Sequence, residues 1–184
     1  MNFLLLTEAN MQQSTQSASK PRKILFEWIL LSILGALMFV GKLILSPLAN
    51  IEPVTLLIMV ITTCFGWKAL YSVYIYVSLE ILFYGIGIWN VMYLYVWAVL
   101  VLIVMLTRRF ADPLINAIIA AFFGLFFGIL CSPPYFVTLG VAGAVGWIIN
   151  GIPYDIIHAV SNFLFVFLAF SPLLKVLKKA LKKA

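Results

Sequence analysis

The chain has 184 residues, of which 65% are hydrophobic and only 10% charged. A soluble domain carries roughly a quarter charged residues, so this composition excludes an ordinary soluble fold and any separate soluble domain, and it points to a membrane protein. The formal charge of +6 is concentrated at the chain ends and in two short loops rather than on one face. That placement excludes nucleic acid as a partner and reads as a topology signal beside a lipid bilayer.

Residues 1–19 (MNFLLLTEANMQQSTQSAS) have too short an apolar run and no basic start for a signal peptide, and read as a polar, disordered cytoplasmic tail. A first span follows from Ile24 to Leu45, introduced by Lys20, Arg22 and Lys23. The prolines of SPLANIEP (46–53) stop it. A short second span covers Val54–Phe65, and FGWK turns the chain into a third over Ala69–Ile86. GIGIWN breaks that span before a fourth at Val91–Leu106, which ends in TRRFADP. A fifth covers Pro113–Leu130, and CSPP closes it. The last runs from Ile152 to Leu174, and KVLKKALKKA follows as a basic cytoplasmic tail over 177–184.

The segment YFVTLGVAGAVGWIIN (135–150) reads either as a seventh span or as an outer loop with a short surface helix. Charge decides between them. With six spans, every basic residue except Lys42 falls on one side, whereas a seventh would export the lysine-rich tail. The expected fold is an all-α membrane protein: a six-helix transmembrane bundle over 20–176 with both termini cytoplasmic, since only closed hydrogen bonding is tolerated in lipid.

Several polar groups stand out against this apolar background. Lys42, near the outer end of the first span, reads either as a lysine snorkelling to headgroups or as one turned inward. Glu52 in the first outer loop and Glu80 in the third span are its available acids, and Tyr76, Glu80 and Tyr84 repeat every four residues on one helix face. In the last span Asp155, His158 and Asn162 are spaced i, i+3, i+7, which sets them on one stripe headed by Gly151. One histidine and one acid supply two metal ligands at most, so no metal is expected. Trp89, Asn90, Tyr93 and Trp97 gather at the outer end of the fourth span, and Trp147, Asn150 and Tyr154 lie on the same side. Interfacial belts account for many tryptophans and tyrosines, but asparagines interleaved with them fit apolar walls with convergent polar groups, the pattern of a small-molecule pocket. Structural hydrogen bonding between helices is the plain alternative for the polar stripe.

Small residues mark a second surface. The fifth span carries Gly124 and Gly128 in a GxxxG pattern, and the first carries Ser32, Gly35 and Ala36. Packing within the bundle and contact with a partner membrane protein both suit such residues. The cysteines, Cys64 and Cys131, read as small buried hydrophobes.

The run of GALMFVGK, ANIEPVTLLIMV, FGWKALY, GIGIWNVMYLYVW and NGIPYDIIHAVSNF resembles the substrate-binding S components of energy-coupling factor (ECF) transporters, over residues 28–178. The resemblance implies a subunit that captures a vitamin or related micronutrient at the outer face of a bacterial plasma membrane. It further implies docking on a shared membrane scaffold subunit driven by two cytoplasmic ATPases. Members of that family dock through small residues of the first helix, often AxxxA. Here Ser32–Ala36 is the nearest match, with Ser in place of the first Ala. No GxxxxGK[ST] motif occurs, so ATP belongs to the partners, and the chain itself is expected to be neither an enzyme nor cofactor-dependent. The cargo stays open between a planar heterocycle and a corrinoid such as cobalamin. Two rival readings remain: a proton-coupled secondary transporter using Lys42, Glu80 and Asp155, and a small intramembrane enzyme using Asp155 and His158.

Overall fold

The computed structural model describes the backbone of residues 2–110 and 112–183, and side chains from residue 22 to 110 and 112 to 182. The described chain is all-helical. Its elements are α1 (Asn2–Leu45), α2 (Val54–Phe65), α3 (Ala69–Tyr84), α4 (Ile88–Thr107), α5 (Pro113–Leu125), α6 (Phe127–Leu130) and α7 (Pro133–Lys183), with a 3₁₀ turn at Gly66–Lys68 between α2 and α3. The side chains of the tail expected over 1–19, and those after residue 182 in the basic tail expected over 177–184, lie outside the described residues. Four helical stretches are long and apolar enough to cross a membrane: Arg22–Leu45, Val54–Tyr84, Ile88–Thr107 and Pro133–Lys182.

The second stretch is a hairpin rather than a rod. Gly66 takes φ 60°, a conformation costly for any residue with a Cβ, and the chain reverses there. Contacts along the bundle give the directions. Lys68 pairs with Glu27, Ser72 Oγ donates to the Leu31 carbonyl, and Lys42 reaches Glu80, so α1 and α3 run parallel with α2 antiparallel between them. Tyr76 meets Tyr93 and Trp97, which sets α4 antiparallel to α3. Gly124 abuts Ala159, and Gly128 abuts Asp155, so α5–α6 and α7 are antiparallel.

The shortest full helix is the hub. α2 packs against α1, α3, α4 and α7, and eight of its twelve residues, including Val54, Ile58, Met59 and Ile61, are buried. Leu31, Met38, Val73, Tyr76, Met92, Trp97 and Leu100 close around it. The outside is equally apolar: Ile33, Leu37, Ile44, Phe122, Leu164 and Leu168 are all exposed. An apolar surface on this scale is an aggregation liability in water and a match to lipid.

The region 133–150 is neither of the two forms expected for it. The short arm 133–139 ends at Gly140, which takes φ 66° and ψ −167°, outside the helical range. From 141 onward the helix is unbroken to Lys183, roughly 64 Å at 1.5 Å per residue, so the last helix begins about ten residues before the expected Ile152. The break goes to the single glycine that leaves the helical region, while Gly143, Gly146 and Gly151 are carried within the helix.

Glycines at close approaches set the helix spacing. A Cβ on Gly35 would lie 2.7 Å from the Ser72 carbonyl oxygen, and one on Gly124 would lie 2.9 Å from the Ala159 nitrogen. Gly35 is therefore spent on α1–α3 packing and offers no outer surface, which corrects its expected place in a partner interface. Ser32 Oγ returns to its own helix, donating to the Trp28 carbonyl at 2.9 Å, and Ser32 and Ala36 remain half-buried. The Gly124–Gly128 pattern is likewise filled from within, by α7. Gly35→Ala and Gly124→Ala should each destabilise the protein by about 1–3 kcal/mol through overpacking against backbone. Gly146→Ala, where a Cβ meets nothing within 4 Å, should be neutral or stabilising. Thermal unfolding in detergent micelles reads the difference.

Candidate binding site

The loop between α1 and α2 closes one end of the bundle and is tied down to α7. Asn50 adopts φ 56°, which asparagine tolerates better than most residues. Its side-chain nitrogen donates to the Tyr154 carbonyl at 3.1 Å, and its own carbonyl accepts from Ser161 Oγ at 3.1 Å. Two residues on, Glu52 accepts from the Val54 and Thr55 amides at the start of α2 and from Thr55 Oγ1 at 3.0 Å. It also meets His158 Nε2 at 3.2 Å. Burial alone would raise the Glu52 carboxyl, but the bonds from His158, Thr55 and Val54 outweigh it and hold the group below its ordinary value of 4.5. An ionised carboxylate only accepts, so Nε2 carries the ring proton that is shared with Glu52.

An ion pair faces this hydrogen-bonded pair. Lys42 Nζ lies 2.8 Å from Glu80 Oε2 and donates to Tyr93 Oη at 3.1 Å, and it sits 4.7 Å from the Tyr93 ring centroid. The lysine is thus turned inward, and the headgroup alternative does not hold. Between the two pairs runs a continuous aromatic wall. Tyr93 and Trp97 centroids are 5.4 Å apart, Trp97 and Phe127 5.6 Å, and Phe127 and His158 4.8 Å, with Tyr76 6.1 Å from Trp97. Lys42, Glu52, Tyr76, Tyr93, Trp97, Phe127 and His158 line one cavity of about 170 Å³.

Two wider cavities adjoin it, and Asn50 lines all three. One, of about 350 Å³, is walled by Trp89, Phe127, Gly128, Trp147, Asn150, Tyr154 and Asp155. The other, of about 390 Å³, is walled by Lys42, Glu80, Tyr84, Trp89, Asn90 and Tyr93. Asp155 does not pair with His158. Both of its oxygens accept from the Gly128 amide at 3.1 Å, where any Cβ at position 128 would collide with the carboxylate. Trp147 stacks on Tyr135 at 4.2 Å and donates from Nε1 to the Gly128 carbonyl at 3.1 Å. Asn90 caps its own helix, accepting from the Gly87 amide at 2.6 Å.

Of the fourteen residues singled out as substrate-binding from sequence, thirteen line these cavities. Asn162 does not. It lies two helical turns beyond Asp155, about 10 Å deeper, and its amide points at the Ala120 carbonyl of α5 at 3.4 Å. Sequence reasoning missed Asn50, Tyr76, Phe127 and Gly128 as wall residues. Tyr76 alone left a signal, being four residues before Glu80 on the same face. Among the described residues no group of three or more His, Cys, Asp or Glu side chains is placed to hold a metal ion. No protein-family profile, curated protein or solved structure matches the chain.

Two outcomes follow from these pairs. Removing one partner of Lys42–Glu80 strands a charge, so Lys42→Met and Glu80→Gln should each destabilise strongly, while the double variant should cost less than their sum by about 1–3 kcal/mol. For Glu52 the depressed carboxyl means that its contribution is fully present above pH ~4.5 and lost as pH falls through that range. Glu52→Gln should therefore lower the Tm at neutral pH, and the gap to wild type should close as the pH is taken down below the ordinary carboxyl value of 4.5.

Proposed function

We propose that the chain is a substrate-capturing membrane subunit of the kind that the ECF S components represent. It crosses the bilayer six times with both termini cytoplasmic, and it binds a vitamin-like small molecule in the cavities at the outer end. The observation that carries this reading is the gathering of the Lys42–Glu80 ion pair, the hydrogen-bonded Glu52–His158 pair and an aromatic wall around three adjoining cavities at one end of the bundle. Apolar walls with few convergent polar groups are what ligand sites in helical bundles look like. Ionisable residues inside a membrane segment carry a cost that function repays.

The orientation draws on charge. Lys68 and Arg108 lie at the opposite end from the cavities, where α2 turns into α3 and α4 ends, with Glu27 paired to Lys68. The lysines after Leu174 close the last helix, which runs away from the cavity end. A basic end of this kind is cytoplasmic by the positive-inside rule, so the cavities open outward. Alternation of direction from α1 through α5–α6 to α7 supplies six crossings, with the 12 residues of α2 making a short one of roughly 18 Å. ATP hydrolysis then falls to partner ATPases through a scaffold subunit, and Ser32 and Ala36 are the half-buried small residues of α1 left for docking.

Purification in mild detergent followed by mass spectrometry of the denatured eluate tests the capture step. A stoichiometric metabolite is expected on the wild type and should be lost from the Asp155→Ala/His158→Ala variant. In liposomes the chain alone should bind without accumulating cargo. Uptake by the chain alone under a pH gradient would instead establish a proton-coupled transporter, and conversion of the bound metabolite would establish an enzyme.

A further inference from the structure

Four buried polar atoms in and beside the 170 Å³ cavity make no hydrogen bond within the described residues: Tyr76 Oη, Trp97 Nε1, His158 Nδ1 and Glu80 Oε1. Their residues are 0%, 2%, 2% and 5% exposed. A buried polar group without a partner costs about 1–3 kcal/mol, and native proteins hold only a few. Here three of six such atoms belong to residues that line this cavity, the fourth belongs to Glu80 on the adjoining 390 Å³ cavity, and they differ in kind. The indole N–H only donates and the second Glu80 oxygen only accepts. The tyrosine hydroxyl does both, and His158 Nδ1 accepts while the ring is neutral because Nε2 holds the proton towards Glu52.

Charge narrows the class further. The single lysine lines both this cavity and the adjoining 390 Å³ one, where Glu80 engages it, and Glu52 adds a second carboxylate on the 170 Å³ side. An anionic ligand would meet two carboxylates for one lysine, with the lysine already neutralised. The aromatic rings of Tyr76, Tyr93, Trp97 and Phe127 offer stacking and edge contacts to a flat π system.

We infer that this cavity receives a neutral or cationic planar nitrogen heterocycle whose edge carries both an N–H donor and a nitrogen or carbonyl acceptor, as in an amide, lactam or amidine. Trp97 Nε1 donates to the acceptor, Glu80 Oε1 and His158 Nδ1 take the donors, and Tyr76 Oη completes either role. The ring lies along the aromatic wall, and any bulkier substituent extends into the adjoining cavities lined by Trp89. The inference rests on the capture reading above and specifies its cargo.

Binding to the purified full chain is measured by calorimetry with nicotinamide and cytosine as neutral planar probes, nicotinate as the isosteric anion of the first, and myo-inositol as a saturated polyol. Saturable binding of nicotinamide or cytosine is expected, with nicotinate and inositol weaker by about tenfold or more. Tyr76→Phe and Trp97→Phe should each weaken the bound probe by about tenfold, one hydrogen bond's worth. Because the Tyr76 hydroxyl has no protein partner, Tyr76→Phe should leave the Tm unchanged or raised while affinity falls. The inference is overturned if nicotinate or inositol binds as tightly as either neutral ring, or if none of the four saturates. It is equally overturned if both variants keep wild-type affinity, or if Tyr76→Phe lowers the Tm. A stoichiometric anionic or saturated metabolite on the purified protein overturns it and leaves the capture reading standing; no metabolite and no probe binding overturns both.

Discussion

Each ionisable side chain that this bundle encloses at the cavity end takes a partner from within, and that requirement sets the architecture there. Lys42 is answered by Glu80, Glu52 by His158 and the first amides of α2, and Asp155 by the Gly128 amide. Each pairing joins different elements: α1 to α3, the first loop to α7, and α6 to α7. An unpaired charge in apolar surroundings costs several kcal/mol, more than most single packing contacts contribute. The pairs therefore fix the relative positions of helices whose apolar faces alone would slide. Charge sets the register, and hydrophobic packing supplies the bulk of the cohesion.

That division explains why α2 can be both the shortest full helix and the centre of the fold. Its side chains are mostly apolar, so contacts with α1, α3, α4 and α7 alone define its rotation only weakly. Glu52 immediately before it removes that freedom. The carboxylate accepts from the Val54 and Thr55 amides, complementing the positive end of the helix dipole, and at the same time reaches His158 across the bundle. One residue thus caps the central helix, anchors the loop and forms part of the cavity wall.

Much of this was legible in the sequence because the two signals involved are sparse. Prolines and glycines punctuate an otherwise apolar chain, so the limits of α2 at Val54 and Phe65, and the start of α5 at Pro113, follow from SPLANIEP, FGWK and ADP directly. Polar residues within apolar segments are equally conspicuous, and burial forces them inward. What escaped is what such signals do not encode. Gly128 contributes through its backbone amide, which no side-chain pattern reveals. Asn50 sits between two prolines, where an asparagine reads as an ordinary turn residue, yet its hydrogen bonds to α7 make it common to all three cavities. The early start of the long helix was hidden by GVAGAVG, whose glycines favour a loop by local propensity; Gly140 does break the helix, but Gly143 and Gly146 are carried within it, where Trp147 packs on Tyr135. Asn162 shows the converse: a shared helix face was read correctly as inward, but over two turns that face passes from the cavity to the α5 interface.

The cavity wall does not follow the economy that governs the rest of the interior. Elsewhere among the described residues most buried polar groups are paired, as Ser72 with the Leu31 carbonyl, Asn116 with those of Phe110 and Asp112, and Tyr95 with that of Leu130, and only Thr62 Oγ1 and Asn162 Oδ1 are left singly without a partner. Only at the wall do a tyrosine, a tryptophan, a histidine and a glutamate present unpartnered atoms together. A core selected for stability alone would replace Tyr76 with Phe and Trp97 with an apolar ring and recover the desolvation cost. Keeping four such groups in one place, beside the Lys42–Glu80 ion pair and the Glu52–His158 hydrogen bond, is the arrangement expected of a preorganised recognition surface, whose stability is spent in advance so that binding loses little entropy.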